Sequence, residues 1–203
     1  MTIKFYHSPM TRAFTALWML EETGAPYEIV RQNIRAPGHP DAAYLVINPM
    51  GKVPAIVDGG TGFGETAAIL LYLADRYAPG RLAPSLSDPN RGRFLQWQFF
   101  AQSALEPAMM EKRNGTPTMP TSAGWGDYDR AFGALEKAMV PGQWLLGGDF
   151  TSADLSIASL LMFGMNFGMI DKRDAFVAFA ERARARPAFT RASDIEAREA
   201  TKP

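Results

Sequence analysis

Residues 48–77 read NPMGKVPAIVDGGTGFGETAAILLYLADRY, and this stretch decides the fold. Within it, residues 54–57 are apolar and predict a short strand, and Asp58-Gly59-Gly60 predicts a turn into a partner strand near Phe63. Apolar residues at helical spacing then predict an amphipathic helix that ends at Pro79-Gly80: Ile69, Leu70, Leu73 and Tyr77. The stretch is therefore predicted to form a ββα unit.

The residues before this stretch predict a βαβ unit. Residues 3–6 and residues 27–30 each read as a short strand. Between them lies a predicted helix that stops at Gly24-Ala25-Pro26 and has one apolar face: Ala13, Ala16, Leu17 and Leu20. Because a helix joins the two strands, they should be parallel, and the later hairpin should add an antiparallel edge. An irregular stretch around Ala36-Pro37-Gly38 separates the two units.

The rest of the chain is predicted to be helical. Residues 79–89 are rich in Pro, Ser and Gly and lack periodicity, which is typical of a linker. Helical patterns follow at residues 94–108, around Leu135, after Phe150, at residues 175–184 and at residues 187–199. We therefore predict an α/β domain at residues 1–79, a linker at 80–90 and an all-helical domain at 91–203.

Composition excludes several classes of protein. Lys and Arg number 21 against 21 Asp and Glu, so no excess positive charge points to nucleic acid. The chain has no cysteine, which excludes disulfides, thiolate metal sites and a cysteine nucleophile; we expect no metal. The most apolar run, residues 155–170, is shorter than the stretch of about 20 residues that a membrane-spanning helix needs. The first residues of the sequence lack the apolar core of a signal peptide. We therefore expect a cytoplasmic protein without a membrane partner.

Three clusters carry residues suited to binding an anion or a peptide. Thr11 stands where the first helix should begin and is predicted to be its N-cap; helix amides and a hydroxyl also make an anion site. Val53 precedes Pro54, where its backbone either belongs to a plain loop or is open to an extended peptide. Glu65 and Thr66 stand at the next helix start, either as capping residues or as a pocket for ammonium and carboxylate groups.

Taken in order, these clusters resemble the cytosolic glutathione transferase family, and Thr11 is most similar to its bacterial serine/threonine type. The resemblance rests on residues 6–12, residues 17–22, Asn48-Pro49-x-Gly51-Lys52-Val53-Pro54-Ala55, Glu65-Thr66-Ala67-Ala68-Ile69-x-x-Tyr72-Leu73 and Phe150-Thr151-x-x-Asp154-Leu155. The last motif is a capping box with a hydrophobic staple. The resemblance implies a thioredoxin-like N-terminal domain, an all-helical C-terminal bundle, a homodimer, and a cis peptide bond between Val53 and Pro54.

The resemblance also implies a set of glutathione-binding residues: His39, Lys52, Val53, Pro54, Glu65 and Thr66. Glu65 would take the γ-glutamyl ammonium group, and Thr66 with its helix amides would take the neighbouring carboxylate. The backbone of Val53 would pair with the extended cysteinyl unit. Lys52 and His39 are the candidates for the glycyl carboxylate, although His39 is equally compatible with an exposed loop.

The thiol of glutathione must lose its proton to react, and a hydroxyl donor at a helix start would favour the thiolate. Thr11 matches the position at which many family members place a serine. Threonine keeps the hydroxyl but differs from serine by a methyl group that restricts its rotamer. Tyr6, at the end of the first strand, is the competing donor, and Ser8 is the third.

The implied function is conjugation of the glutathione thiolate to small apolar electrophiles, a detoxification reaction, or reduction of a peroxide. The lack of cysteine excludes the branches that form a mixed disulfide with glutathione. The co-substrate would lie near Met10, Met109 and Arg113, although these methionines are at least as compatible with a core position. The alternatives are a non-catalytic binder of glutathione or another ligand, and a glutathione-dependent isomerase or dehalogenase.

Overall fold

The computed structural model describes residues 2–202 and contains one mixed sheet. Its four strands are β1 (Ile3–His7), β2 (Tyr27–Arg31), β3 (Ala55–Asp58) and β4 (Thr61–Gly64), in the order β2-β1-β3-β4. β1 and β2 are parallel, whereas β1 pairs antiparallel with β3, and β3 with β4. This confirms the predicted βαβ unit followed by a ββα unit.

Strand register brings several chain segments together at one end of the sheet. This end is marked by the row Tyr6–Ala55–Gly64 and is called the sheet edge below. Tyr6 at the end of β1 pairs with Ala55 at the start of β3, which pairs with Gly64 at the end of β4. His7 pairs with Arg31 at the end of β2. Neighbouring strands lie about 4.8 Å apart, so the row from Tyr6 to Gly64 spans about 10 Å. The segments that leave these strand ends therefore begin side by side.

Helices account for most of the remaining described chain. In chain order they are α1 (Ala13–Thr23), α2 (Ala42–Ile47), α3 (Thr66–Tyr77), α4 (Arg91–Phe100), α5 (Glu106–Asn114), α6 (Tyr128–Ala138), α7 (Ser152–Asn166), α8 (Asp174–Arg184) and α9 (Pro187–Thr201). Gly24 ends α1 in the left-handed conformation at φ 71°, as the Gly-Ala-Pro signal predicts. None of the helices within residues 2–202 has both the length and the apolar character needed to cross a bilayer.

The chain forms two compact units that differ from the predicted domains. One unit runs to Ala78 and resumes at Arg186, and the other is Pro79–Ala185. Helix α9, predicted to belong to the helical domain, lies in the first unit, where Phe189 packs edge-on against Phe14 and Trp18 of α1, with ring centroids at 5.5 and 5.0 Å.

The predicted linker at 80–90 also differs from the structure. Leu82 is 1% exposed, and its carbonyl accepts a hydrogen bond from Ser152 N at 2.8 Å. This segment therefore packs into the helical unit, where lack of periodicity in the sequence reflects irregular backbone and not a free connection.

The helical unit confirms the predicted capping box. Asp154 Oδ2 accepts from both the backbone N and the hydroxyl of Thr151, at 2.8 and 2.7 Å, and Asp154 Oδ1 accepts from Leu145 N at 2.8 Å. The helix predicted at 94–108 is interrupted by a π-helical segment, Ala101–Leu105. Pro107 lies in the first turn of α5, and its missing N–H group requires a local change in the hydrogen-bond pattern.

Candidate functional site

A turn at Gly51–Pro54 lies at the sheet edge and is held from two sides. The carbonyl oxygen of Lys52 accepts hydrogen bonds from Asn48 Nδ2 and from the Tyr44 hydroxyl, both at 2.6 Å. Burial is the largest influence on the Tyr44 hydroxyl and raises its pKa to about 12, so it stays protonated and donates at neutral pH. The Val53–Pro54 peptide bond is cis, as the resemblance implies.

The backbone of Val53 remains open after this turn is formed. Sheet pairing of β3 begins at Ala55, and within residues 2–202 neither the N–H nor the C=O group of Val53 takes part in a hydrogen bond. Lys52, next to it, is exposed. A donor and an acceptor on one half-buried residue at a sheet edge suit an extended peptide.

His39 lies against the same turn. Its Nε2 is 3.2 Å from the carbonyl oxygen of Gly51, and its ring lies 5.7 Å from the ring of Tyr44. Because a carbonyl accepts, Nε2 carries the proton, and a neutral imidazole then offers only an acceptor at Nδ1. His39 could therefore bind a carboxylate through Nδ1 only as the imidazolium. The His39–Pro40 bond is also cis, which the sequence did not indicate.

Glu65 and Thr66 begin α3, as predicted. Thr66 is the first helical residue and Glu65 is the N-cap, with φ 67° and ψ 113°. Positive φ is rare for a residue with a Cβ atom and marks local strain that the surrounding structure must hold. The Glu65 side chain is exposed, and Gly64 before it lies so close to Asn48 that an added Cβ atom would be 2.6 Å from Asn48 Nδ2.

The predicted N-cap at Thr11 is wrong by one residue. Helix α1 begins at Ala13, and Arg12 is its N-cap. The Thr11 hydroxyl accepts from Ala13 N at 3.1 Å and donates to the Ser8 carbonyl at 2.6 Å, because a turn with Met10 at φ 59° precedes the helix. The hydroxyl is thus at the helix start, but its proton has an acceptor within the protein.

The two competing donors lie on the same edge. Tyr6 is half-buried, and its ring lies 5.3 Å from that of Tyr44, which places it beside the Gly51–Pro54 turn. Ser8 is 5% exposed. It lines a cavity of about 380 Å³ at the ends of β1 and β2 together with Met10, Arg31, Gln32, Asn33 and Arg35.

A carboxylate from α9 also reaches this edge, and no motif in the sequence indicates it. Glu196 Oε1 accepts from Met10 N at 2.7 Å, and Glu196 Oε2 accepts from His7 Nε2 at 2.8 Å. His7 is completely buried. No local pattern links residues this far apart in sequence, which explains why both were missed.

The residues predicted for a co-substrate pocket lie in different units. Met10 is 80% exposed in the first unit, whereas Met109 is 1% exposed in the helical unit. Met109 packs close to Gly164, where an added Cβ atom would be 3.1 Å from its sulfur, and Arg113 Nη1 lies 3.5 Å from Met169 Sδ. Their role at a co-substrate pocket stays a prediction.

From the absence of cysteine, the described residues are expected to lack a metal-ligand cluster. Across residues 2–202, no group of three or more His, Asp or Glu side chains is placed to hold a metal ion. The groups at the sheet edge include hydroxyls, the open backbone of Val53, the exposed carboxylate of Glu65 and the exposed ammonium of Lys52. Such groups are suited to a small zwitterionic peptide.

Known proteins share sequence similarity with this chain. Residues 1–75 match the family model described as glutathione S-transferase, N-terminal domain. Glutathione S-transferase hmp2 of Hypomyces subiculosus is 32% identical over 168 residues, which cover 76% of this chain and 79% of that protein. Glutathione S-transferase 3 of Schizosaccharomyces pombe is 36% identical over 106 residues, and the chain spans only 43% of its length.

Solved structures share the fold along nearly the whole chain. A glutathione transferase from Methylococcus capsulatus has a TM-score of 0.78 at 27% identity, with 97% of this chain and 99% of that chain covered. The glutathione transferase URE2P8 from Phanerochaete chrysosporium, solved with oxidized glutathione, has a TM-score of 0.78 at 22% identity, with 100% and 98% covered. At that identity the second match shows the fold alone.

Proposed function

Because the chain belongs to the cytosolic glutathione transferase family, we propose that it binds glutathione at the sheet edge and transfers its thiolate to a small apolar electrophile. One observation carries this proposal. The register Tyr6–Ala55–Gly64 brings the C-terminal end of β1, which leads into the turn before α1, next to the Gly51–Pro54 turn and the start of α3.

Each part of glutathione has a candidate partner there. We assign the γ-glutamyl ammonium to Glu65 and the γ-glutamyl carboxylate to Thr66 at the start of α3. The backbone of Val53, with Pro54 cis, would pair with the cysteinyl unit. Lys52 would meet the glycyl carboxylate directly, and His39 would do so as the imidazolium.

The chemistry requires that the sulfur lose its proton before it attacks. A free thiol has a pKa of about 8.5, so most of it is protonated at neutral pH. The N-terminal dipole of α1 and the Thr11 hydroxyl would favour the thiolate. The thiolate then forms a bond to the electrophilic carbon, and the leaving group departs with its bonding electrons.

We infer the compartment, the oligomeric state and the partners of the protein from its family. We propose a cytoplasmic homodimer of the serine/threonine type, whose partners are glutathione and the electrophile. Reduction of a hydroperoxide, isomerisation and dehalogenation would use the same bound thiolate and remain alternatives within this proposal.

Ligand variants provide the first test. By calorimetry, we expect glutathione and S-methylglutathione to bind, and cysteinylglycine, which lacks the γ-glutamyl group, to bind at least about tenfold more weakly. Glutathione should then be consumed with a chlorinated nitroaromatic substrate or with a hydroperoxide. No binding of glutathione at millimolar concentration would contradict the proposal.

A non-catalytic glutathione-binding protein is the second candidate, and one contact favours it. The Thr11 hydroxyl already donates to the Ser8 carbonyl at 2.6 Å. If that bond persists with ligand bound, the sulfur gains no donor from Thr11. Tight binding without turnover of any electrophile, peroxide or isomerisable substrate, unchanged in Thr11→Ala, would support this candidate.

A further inference from the structure

The turn between β1 and α1 is fastened by a single carboxylate from the far end of the chain. Glu196 accepts from the backbone of Met10 at 2.7 Å and from buried His7 at 2.8 Å, so its two oxygens hold both sides of Ser8-Pro9. Hydrogen bonds to a carboxylate are stronger than those to a neutral acceptor. Met10 has φ 59°, a conformation that a residue with a Cβ atom rarely adopts without external contacts.

Helix α9 is itself held firmly along α1. Arg186 donates to both oxygens of Glu22, at 2.6 and 2.8 Å, near the end of α1. Glu196 acts near the beginning of α1. From Arg186 to Glu196 a helix rises about 15 Å, close to the length of α1 from its first residue to Glu22. The ion pair between Arg186 and Glu22 therefore helps to position the Glu196 carboxylate, because it anchors the start of α9 against the end of α1.

We propose that Glu196 is a positioning residue for thiol ionisation: it holds Met10 so that the next residue, Thr11, and the start of α1 are presented to the sulfur. This inference rests on the proposed function. Glu196 is not itself a donor to the sulfur, because a carboxylate only accepts. Its effect passes through the backbone of Met10.

If Glu196 positions Met10, its loss should change the thiol pKa of bound glutathione; if Glu196 only supports the docking of α9, its loss should change only the thermal stability. Loss of helix docking alone would lower the thermal stability without changing the pKa of bound glutathione. Loss of the Met10 conformation would raise the thiol pKa while leaving Val53, Glu65 and Thr66 to bind the peptide. Gln at position 196 keeps an oxygen for Met10 N and can donate to His7 in its other tautomer, so it should preserve the position.

The test compares Glu196→Ala, Glu196→Gln and Glu196→Asp with Asp194→Ala, an exposed acid on the same helix. Amide hydrogen exchange in the full chain reports the bond at Met10, ultraviolet titration reports the thiol pKa of bound glutathione, and calorimetry reports affinity. In Glu196→Ala we expect faster exchange at Met10 and a thiol pKa raised by about one unit, which is about tenfold less thiolate at neutral pH. The glutathione Kd should stay within about threefold, a change of less than about 0.7 kcal/mol.

The companion variants keep the proposal falsifiable. Glu196→Gln and Asp194→Ala should match wild type in thiol pKa, and Glu196→Asp, which is too short to reach both partners, should give an intermediate value even if Glu196→Ala does not fold. A thiol pKa unchanged in Glu196→Asp and Glu196→Ala, or raised equally in Asp194→Ala, would overturn the assignment of Glu196 alone. Failure of wild type to bind glutathione would overturn the proposed function and this inference together.

Discussion

At the scale of single residues, the proposed chemistry depends on which acceptor the Thr11 hydroxyl donates its proton to. The Thr11 hydroxyl donates to the Ser8 carbonyl at 2.6 Å. A thiolate is a charged acceptor and forms a stronger hydrogen bond than a neutral carbonyl. Rotation of the hydroxyl from Ser8 towards the sulfur is therefore favourable once the peptide is bound, provided that the sulfur lies within reach.

Replacement of the hydroxyl tests this exchange. In Thr11→Val we expect the thiol pKa of bound glutathione to rise by about one unit, because a donor to the charged form is lost. Thr11→Ser should retain the wild-type value, and the Kd should change little in either variant. An identical thiolate titration in Thr11→Val would remove Thr11 from the mechanism, and Tyr6→Phe would then be the next variant to titrate.

Two substitutions at Glu65 separate binding from backbone strain. Both Glu65→Ala and Glu65→Gly remove the carboxylate, so both should weaken glutathione binding by about tenfold or more. Only glycine adopts φ 67° without strain, so Glu65→Gly should be more stable than Glu65→Ala by about 1 kcal/mol. Calorimetry and thermal unfolding measure the two effects, and an unchanged Kd would show that the ammonium group binds elsewhere.

The sequence predicted some of these residues and not others for a physical reason. Glu65 and Thr66 are recognisable because a helix start has a local signature. The clamp made by Glu196 on Met10 and His7 has no local signature, because it depends on tertiary docking of α9. Thr11 was misplaced by one residue since the turn at Met10 precedes the helix.

At the scale of elements, the end of β3 is tied to α3 through Asp58. This buried carboxylate accepts from the hydroxyls of Tyr72 and Tyr77 at 2.8 and 2.6 Å, and Arg76 Nε lies 3.2 Å away. Burial alone would raise the pKa of Asp58, but the hydroxyl donors and Arg76 outweigh it and hold the pKa below its usual value. These contacts fix α3, whose first turn carries Thr66.

The lowered pKa of Asp58 predicts an acid-dependent stability. The charged form is favoured in the folded state, so its stabilisation is complete above the unfolded value near 3.8 and is lost as pH falls through the lower folded value. Asp58→Asn should lose about 2 kcal/mol at pH 7, and the difference from wild type should shrink below about pH 4. Urea unfolding at several pH values measures this, with exposed Asp194→Asn as the control; a constant difference down to pH 2 would contradict it.

Periodicity predicted the longer elements and failed on the short or irregular ones. The bounds of α3 agree with its apolar stripe from Thr66 to Tyr77. Helix α2 was not predicted, because six residues give too few turns for a stripe; the Asp41 side chain, which accepts from Tyr44 N at 2.7 Å, caps it. The π-helical segment before α5 lies within a continuous helical pattern, so the sequence does not distinguish it from an α-helix.

At the scale of the whole molecule, α1 and α9, which are far apart in sequence, pack together within one unit. Arg186 and Glu22 form a bidentate ion pair in which the Glu22 side chain is 5% exposed. Trp18 Nε1 also donates to Glu22, at 3.1 Å. The sequence of α9 indicates a helix but not the surface that the helix covers, so its packing on α1 is visible only in the structure.

Removal of one partner of this pair should be costly. Arg186→Ala leaves the buried Glu22 carboxylate without its strongest partner, and we expect a loss of about 2 kcal/mol or more in the free energy of unfolding. Arg184→Ala, which breaks an exposed pair with Glu181, should change it by less than about 0.5 kcal/mol. Denaturant unfolding of the two variants measures the difference, and equal losses would show that the ion pair does not fasten α9.

The most direct test for an ionised sulfur at this sheet edge is an ultraviolet titration of the thiol of glutathione bound to the wild-type protein, with S-methylglutathione as the blank. We expect a thiolate signal that appears at least one pH unit below the free thiol value of about 8.5. A bound thiol that titrates at the free value would contradict the claim that this sheet edge holds an ionised sulfur.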